Sequence, residues 1–222
     1  GLDRVDLEIE EGDFVCLSGP SGSGKTTLLN AMGGLDSLDA GQITVGDYRV
    51  DQLGKGELAD MRLHDIGFVF QAFNLIPVLS ARENVEFVMQ VQGIPAAERA
   101  ERSRAILAEV GLRGLEDRLP GEMSGGQQQR LCLARTLVLD PEVLLLDEPT
   151  SSLDFRSARS IEQLLLGLRK RYTIVAVSHS LGQTRRLADR VVVLNDGRVA
   201  KRLTREDLRD PGTFQLLLED VF

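Results

Sequence analysis

The densest chemistry in the chain lies in Gly19-Pro20-Ser21-Gly22-Ser23-Gly24-Lys25-Thr26, a glycine followed after four residues by Gly-Lys-Thr, the spacing of a phosphate-binding loop. Glycines at 19, 22 and 24 permit positive backbone φ, so that successive amide N–H groups can turn inward around phosphate oxygens at the positive end of a helix. Lys25 adds a point charge near the β- and γ-phosphates of a nucleotide. The hydroxyl of Thr26 is an oxygen ligand of the kind Mg²⁺ takes beside phosphates, and Thr27 opens the helix behind it. A second constellation is the pair Asp147-Glu148 at the end of an apolar run. Acids there are costly unless they meet a cation or hydrogen-bond donors. Mg²⁺ beside a nucleotide satisfies Asp147, which leaves Glu148 to orient and polarise a water for attack on the γ-phosphate.

Three further positions have weaker local signals. Gln71 follows the strand-like run Ile66-Gly67-Phe68-Val69-Phe70 and has the groups to reach a metal or a water, although its own residues equally suit an ordinary loop glutamine. Ser124-Gly125-Gly126-Gln127 reads either as a plain capped helix start or as a second anion site, since two glycines there leave N–H groups open. His179 ends a strand pattern where it can hydrogen-bond a phosphate, whereas His64 reads as a surface residue.

These residues need elements to carry them. Phe14-Val15-Cys16-Leu17 predicts a buried strand entering the phosphate loop, and Thr27 to Met32 a helix leaving it. Residues 1–18 alternate through Val5, Leu7 and Ile9 and turn at Glu11-Gly12-Asp13, which predicts a hairpin start. Gly41 to Val50 predicts two short strands around Gly46-Asp47. Helical spacing dominates from about 81 to 140, and after the strand at Val143 a helix over Phe155 to Arg171 and strands at 173–177 and 191–194 follow. The alternation of strands and helices predicts an α/β fold with a mainly parallel sheet, an antiparallel β subdomain and an inserted helical subdomain at roughly 81–140.

Composition narrows the function. A chain of 222 residues that is 42% hydrophobic fits one domain over 1–222. Its apolar runs fall far short of the ~20 residues that span a bilayer. Cys16 and Cys132 form no disulfide framework, which predicts a reducing, cytoplasmic compartment. A formal charge of −8 argues against a nucleic-acid partner. The local basic runs Arg169-Lys170-Arg171 and Arg185-Arg186 read as solvated surface.

Taken together, the motifs resemble, over nearly the whole chain, the nucleotide-binding domain of ATP-binding cassette (ABC) transporters, a P-loop NTPase family. The Walker A loop at 19–26, the Q-loop glutamine at 71, the signature at 123–127, the Walker B strand at 143–148, the D-loop Ser151-Ser152-Leu153-Asp154 and the switch histidine at 179 stand in that family's order. Asn30 to Asp36 and Gly67 to Leu75 resemble most the branch of lipoprotein-release, macrolide-export and cell-division ATPases. The resemblance implies a homodimer, head to tail, in which ATP on one copy's loop is covered by Ser124, Gly125, Gly126 and Gln127 of the other. It implies that Lys25 and the loop hold the phosphates, that Thr26, Gln71 and Asp147 complete Mg²⁺ coordination, that Glu148 is the general base, that His179 contacts the γ-phosphate and that Asp154 communicates across the dimer. An integral membrane permease is the implied partner, at the inner face of the cell membrane, with ATP hydrolysed to ADP. Phe73, Leu75, Ile76 and Pro77 are the expected part of the permease groove.

Three departures accompany the resemblance. Met123 replaces the usual leucine, a volume-conserving change. Ser180 stands where an acid often follows the switch histidine. The adenine-stacking aromatic normally lies upstream of the segment beginning at Leu2, so the chain is expected to be truncated at its N-terminus and to bind ATP more weakly than a longer form. Among other members, the DNA-repair type needs coiled-coil arms for which the stretch from Gln71 to Ser124 is too short, and the translation-factor type carries two cassettes. An ATP-gated regulatory partner of a membrane protein, controlling cell division or a cell-wall hydrolase, is the alternative to transport.

Overall fold

Strands with large apolar side chains on both faces assemble the molecule. The computed structural model describes residues 1–209, so that the end of the expected 1–222 domain, 210–222, lies outside the described residues. In chain order the elements are β1 (Phe14–Ser18), α1 (Lys25–Met32), β2 (Thr44–Val45), β3 (Tyr48–Arg49), α2 (Lys55–His64), β4 (Ile66–Val69), α3 (Ala81–Val91), α4 (Ala96–Glu109), α5 (Gly125–Leu137), β5 (Val143–Asp147), α6 (Phe155–Leu168), β6 (Thr173–Val177), α7 (Leu181–Leu187), β7 (Arg190–Asn195) and β8 (Arg198–Leu203). The main sheet has the order β4-β5-β6-β1-β7-β8, parallel throughout except for the closing β7–β8 hairpin. β2 and β3 form the separate antiparallel pair, joined through Gly46-Asp47 as expected.

The period of two sends alternate residues to opposite cores. Phe14, Cys16, Leu144, Leu146, Ile174 and Ala176 face one side, where α5 and α6 bring Leu131, Leu133 and Leu165. Val15, Leu17, Leu145, Val175 and Val177 face the other, against Leu28 and Leu29 of α1 and Met61 of α2. Burying one such side chain is worth roughly 2 kcal/mol. A one-residue slip would exchange the faces of a whole strand, so register is firmly held and the strand ends are fixed points.

Between β4 and β5 the chain builds the helical stretch. α3 starts with a capping box in which Ser80 Oγ accepts from Glu83 N at 3.2 Å and Glu83 Oε2 accepts from Ser80 N at 2.7 Å. Fully buried Asn84 then fixes the loop ahead of it, its Oδ1 accepting from Ile76 N and its Nδ2 donating to the carbonyls of Ile76, Leu79 and Ser80. α5 reaches back to the sheet, where Thr136 Oγ1 donates to Phe68 O at 3.0 Å. No described helix is long and apolar enough to cross a membrane.

Two expectations need correction and a third a qualification. Leu2, Val5, Leu7 and Ile9 do pack inward, but residues 1–13 form no strand and no hairpin. The reason is that β1 already has β6 and β7 on its two edges, leaving no free edge for a returning strand. Side chains anchor the segment instead, with Arg198 on Asp3 and Arg202 on the carbonyl of Asp6. Phe73 and Leu75, expected as part of the permease groove, are half-buried and pack against the first core. Finally, Arg169 and Arg186 are paired with Asp189 and Glu162, so neither is simply solvated.

Candidate functional site

Parallel strands deliver their C-terminal ends to one edge of the sheet, where open α/β folds bind ligands. β1 runs into Gly19, β4 toward Gln71, β5 into Asp147-Glu148 and β6 into Ser178-His179. Gly19, Gly22 and Gly24 have φ of 139°, 78° and 100°. At Gly19 the requirement is absolute, since a Cβ there would lie 2.0 Å from the carbonyl oxygen of Leu194. The loop wraps Lys25, whose Nζ donates to Gly19 O at 2.9 Å, to Pro20 O at 2.7 Å and to Ser23 Oγ at 3.4 Å. Burial holds the Lys25 pKa below the ordinary lysine value, opposed by the charges of Glu148 and Asp147. α1 begins with no side-chain cap and no acid in its first turn, so amides at its start remain available to an anion.

Beside the loop, Thr26 Oγ1 donates to Asp147 Oδ1 at 3.2 Å. Desolvation raises the Asp147 pKa, with the neighbouring Glu148 charge adding to it, against the lowering effects of the Thr26 hydrogen bond and of His179 and Lys25. A carboxylate that burial makes costly, next to a hydroxyl and facing a phosphate-shaped loop, is an oxygen donor set that fits a hard divalent cation. Gln71 stands exposed at the end of the neighbouring strand, and no hydrogen bond joins it to Thr26 or Asp147 among the described residues.

Glu148 adopts a left-handed φ of 47°, unusual for a side chain of its size, while its N–H donates to Val177 O at 3.2 Å. This turn aims its carboxylate at His179, with Oε1 2.7 Å from Nε2. Glu148 is mostly covered and the imidazole is half exposed. The structure thus brings Lys25, Thr26, Asp147, Glu148 and His179 together.

Ser124–Gln127 lies elsewhere, at the start of α5. Ser124 Oγ accepts from Gln127 N at 3.3 Å, and Gln127 Oε1 accepts from Ser124 N at 2.9 Å, a reciprocal cap. The first-turn amides of Gly125 and Gly126 stay outside the helix's own ladder. Gly126 also admits α6, since a Cβ on it would come 2.7 Å from Ser157 Oγ. Ser157 Oγ donates to Asp154 Oδ2 at 2.6 Å, and Asp154 caps α6 by accepting from the amides of Arg156 and Ser157. These hydrogen bonds hold the Asp154 carboxyl below its ordinary range. Asp154 and the glycine pair are therefore neighbours, but no hydrogen bond links either to the phosphate loop among the described residues.

Sequence reasoning missed Thr150, Ser178 and Gln183, which form a largely buried hydrogen-bonded network between the turns that carry Glu148 and His179. Ser178 adjoins a flagged histidine, which was a usable signal, whereas Gln183 sits on a seven-residue helix too short to show a periodicity.

The family model for ABC transporters matches residues 2–151. The chain is 39% identical over 211 residues to the macrolide export ATP-binding/permease protein MacB of Brucella abortus, covering 95% of this chain and 32% of that protein. It thus spans about a third (32%) of the length of these macrolide export relatives. To the L-cystine transport system ATP-binding protein TcyN of Escherichia coli it is 41% identical over 227 residues, covering 97% of this chain and 90% of that one. A dimeric structure of a post-hydrolysis state of the ATP-binding cassette MJ0796, bound to ADP and Pi, superposes with a TM-score of 0.84 at 38% identity, covering 92% of this chain and 90% of that one. The chain therefore belongs to the ABC transporter family, of which it is an ATP-binding domain.

Proposed function

We propose that this chain hydrolyses ATP in a head-to-tail pair of copies and uses the cycle to drive a membrane permease from the cytoplasmic face. The observation that carries the reading is the 2.7 Å contact of Glu148 with His179, set beside the Thr26–Asp147 pair at the mouth of the loop. Residues 19–27 hold the phosphates through backbone amides and the Lys25 ammonium. Thr26, Asp147 and Gln71 would hold Mg²⁺, which would supply positive charge beside the phosphate oxygens. Glu148 orients a water and takes its proton as the water oxygen attacks the γ-phosphorus and the bond to the ADP oxygen breaks. His179 holds the Glu148 carboxylate in place and hydrogen-bonds the departing phosphate. Ser124–Gln127 of the second copy presents its open helix amides to the same phosphates, and Asp154 stands beside that contact.

The dimeric, ADP- and Pi-bound state of the MJ0796 cassette supports the pairing. The macrolide export relative is named as an ATP-binding/permease protein, which supports a permease as the partner. Val78, ahead of α3, and Phe87 and Val91 on it are exposed apolar side chains, Val78 being 78% exposed, and they are the residues offered to the permease.

The test is phosphate release with MgATP as protein concentration rises, for this chain and for Glu148→Gln, with molar mass followed by light scattering. Rates should climb more steeply than linearly. Glu148→Gln should fall by at least about 100-fold and accumulate as an ATP-dependent dimer. A constant rate per molecule from monomer alone, or a fully active variant, would overturn the reading.

A further inference from the structure

Glu148 and His179 sit on turns leaving two different strands, and each side chain has torsions of its own, so a 2.7 Å contact requires the turns themselves to be fixed. One buried amide bonds to both turns. Gln183, 4% exposed, projects from α7 and accepts from Ser178 Oγ at 2.9 Å through Oε1. Its Nε2 donates to Thr150 Oγ1 at 2.8 Å, and that hydroxyl lies 3.1 Å from Oε1. Thr150 is two residues beyond Glu148, and Ser178 is the residue before His179.

Each turn is also internally braced. Ser151 donates from both its N–H and its Oγ to the Glu148 carbonyl, at 3.2 and 3.1 Å. Ser178 Oγ accepts from Ser180 N, and Ser180 caps α7 by accepting from Gln183 N at 3.3 Å. Apart from the Glu148–His179 contact itself, the amide of Gln183 is the side-chain tie between the two braced turns among the described residues. It matters because Glu148 holds a left-handed φ that its surroundings must enforce.

We propose that Gln183 is the positioning residue of the Glu148–His179 pair, setting the separation of the general base from its histidine without touching substrate. The inference rests on the hydrolytic reading above for its consequence in turnover, but its geometric content stands apart from it. Methionine matches glutamine in length and bulk and removes every hydrogen bond of the amide, so Gln183→Met loosens the tie while keeping the volume.

The experiment uses two readouts on the full chain. Histidines are confined to positions 64 and 179, so the ring nitrogens of His179 can be followed individually by ¹⁵N NMR at a single pH, with His64 as an internal standard. In Gln183→Met the His179 signals should move toward those of Glu148→Ala while His64 stays still. Misplacement of the pair should lower kcat for phosphate release by about 10- to 100-fold with KM for ATP within about twofold, because binding groups are untouched. Thr150→Val, which cuts the other end of the same tie, should repeat both changes more weakly and serves if Gln183→Met does not fold. His179 signals that stay unmoved in both variants, or a kcat within about twofold of the parent, overturn the proposal. If the parent chain releases no phosphate, the hydrolytic reading fails while the NMR result still decides the positioning role.

Discussion

The two regions that the proposed reading turns toward phosphate differ in how much of their hydrogen bonding is complete within one chain. At the strand ends, Lys25, Thr26, Asp147, Glu148 and His179 are joined by hydrogen bonds and charge, and the groups that carry charge are covered or paired. At the start of α5 the reciprocal cap satisfies Ser124 and Gln127, no acid stands in the helix's first turn, and the neighbouring carboxylate of Asp154 is already taken up by Ser157 and by the amides of Arg156 and Ser157. One region is hydrogen-bonded into a preorganised cluster, and the other keeps helix amides open. That asymmetry is what a site shared between two copies requires, since a surface that met its anion in its own chain would gain nothing from a second.

The comparison breaks most sharply under mixing. Lys25→Ala and Ser124→Arg, each alone, should reduce phosphate release by at least about 100-fold. In a mixture of the two, the mixed pair contains one site with an intact loop and an intact cap. Activity should therefore return to a substantial fraction of the parent rate. A mixture as inactive as its components would mean that loop and signature serve a single chain, and the asymmetry would lose its meaning.

How much of this was legible in the sequence depends on how local the information is. The phosphate loop and Asp147-Glu148 are runs of consecutive residues whose chemistry has no other economical use, and the β2–β3 pair is written in a Gly-Asp turn. The α/β class followed from the strand and helix periods. What sequence left open or misread depended on distant neighbours. The expected hairpin at residues 1–18 could be excluded only by knowing that β6 and β7 flank β1. Phe73 turns inward because α5 lies there, with Cys132 Sγ and Arg135 donating to its carbonyl. Arg186 and Glu162 are 24 positions apart, and no spacing rule pairs them.

That last pair connects the two regions, and it gives a prediction of intermediate size. α6 meets the signature helix through Ser157 at Gly126, and it meets α7, behind His179, through Glu162. The Glu162 side chain is 6% exposed, held by Arg186 through both carboxylate oxygens and by Arg159. Burial alone would raise its pKa, but the hydrogen bonds and charges of the two arginines outweigh it and leave the carboxyl below its ordinary 4.5. A depressed folded pKa means stability that is present above the unfolded value and is lost as pH falls through the folded one. Glu162→Ala should cost about 2 kcal/mol near neutral pH, less than a wholly buried pair because both arginines are partly in water. The gap between parent and variant should shrink below about pH 4.5, as read from denaturant midpoints across the acid range. A gap independent of pH would show that Glu162 acts by packing.

The smallest effect tests the donor surface itself. Ser124 caps α5, and the proposed reading gives it a second, separable job of meeting the partner's phosphate in the shared site. Alanine removes the cap and should lower stability by about 1 kcal/mol, whereas glycine, itself a tolerated cap, should cost only about 0.3 kcal/mol. If the hydroxyl served the helix alone, turnover should follow that order, with Ser124→Gly close to the parent. If it also serves an anion across the interface, Ser124→Gly should lose turnover and ATP-dependent dimerisation as badly as Ser124→Ala while its melting temperature barely moves. The comparison of the two regions requires the second outcome, because the close approach of α6 explains Gly126 while neither that packing nor a cap finished within one chain gives a reason for Gly125, where a Cβ would meet only ordinary contacts.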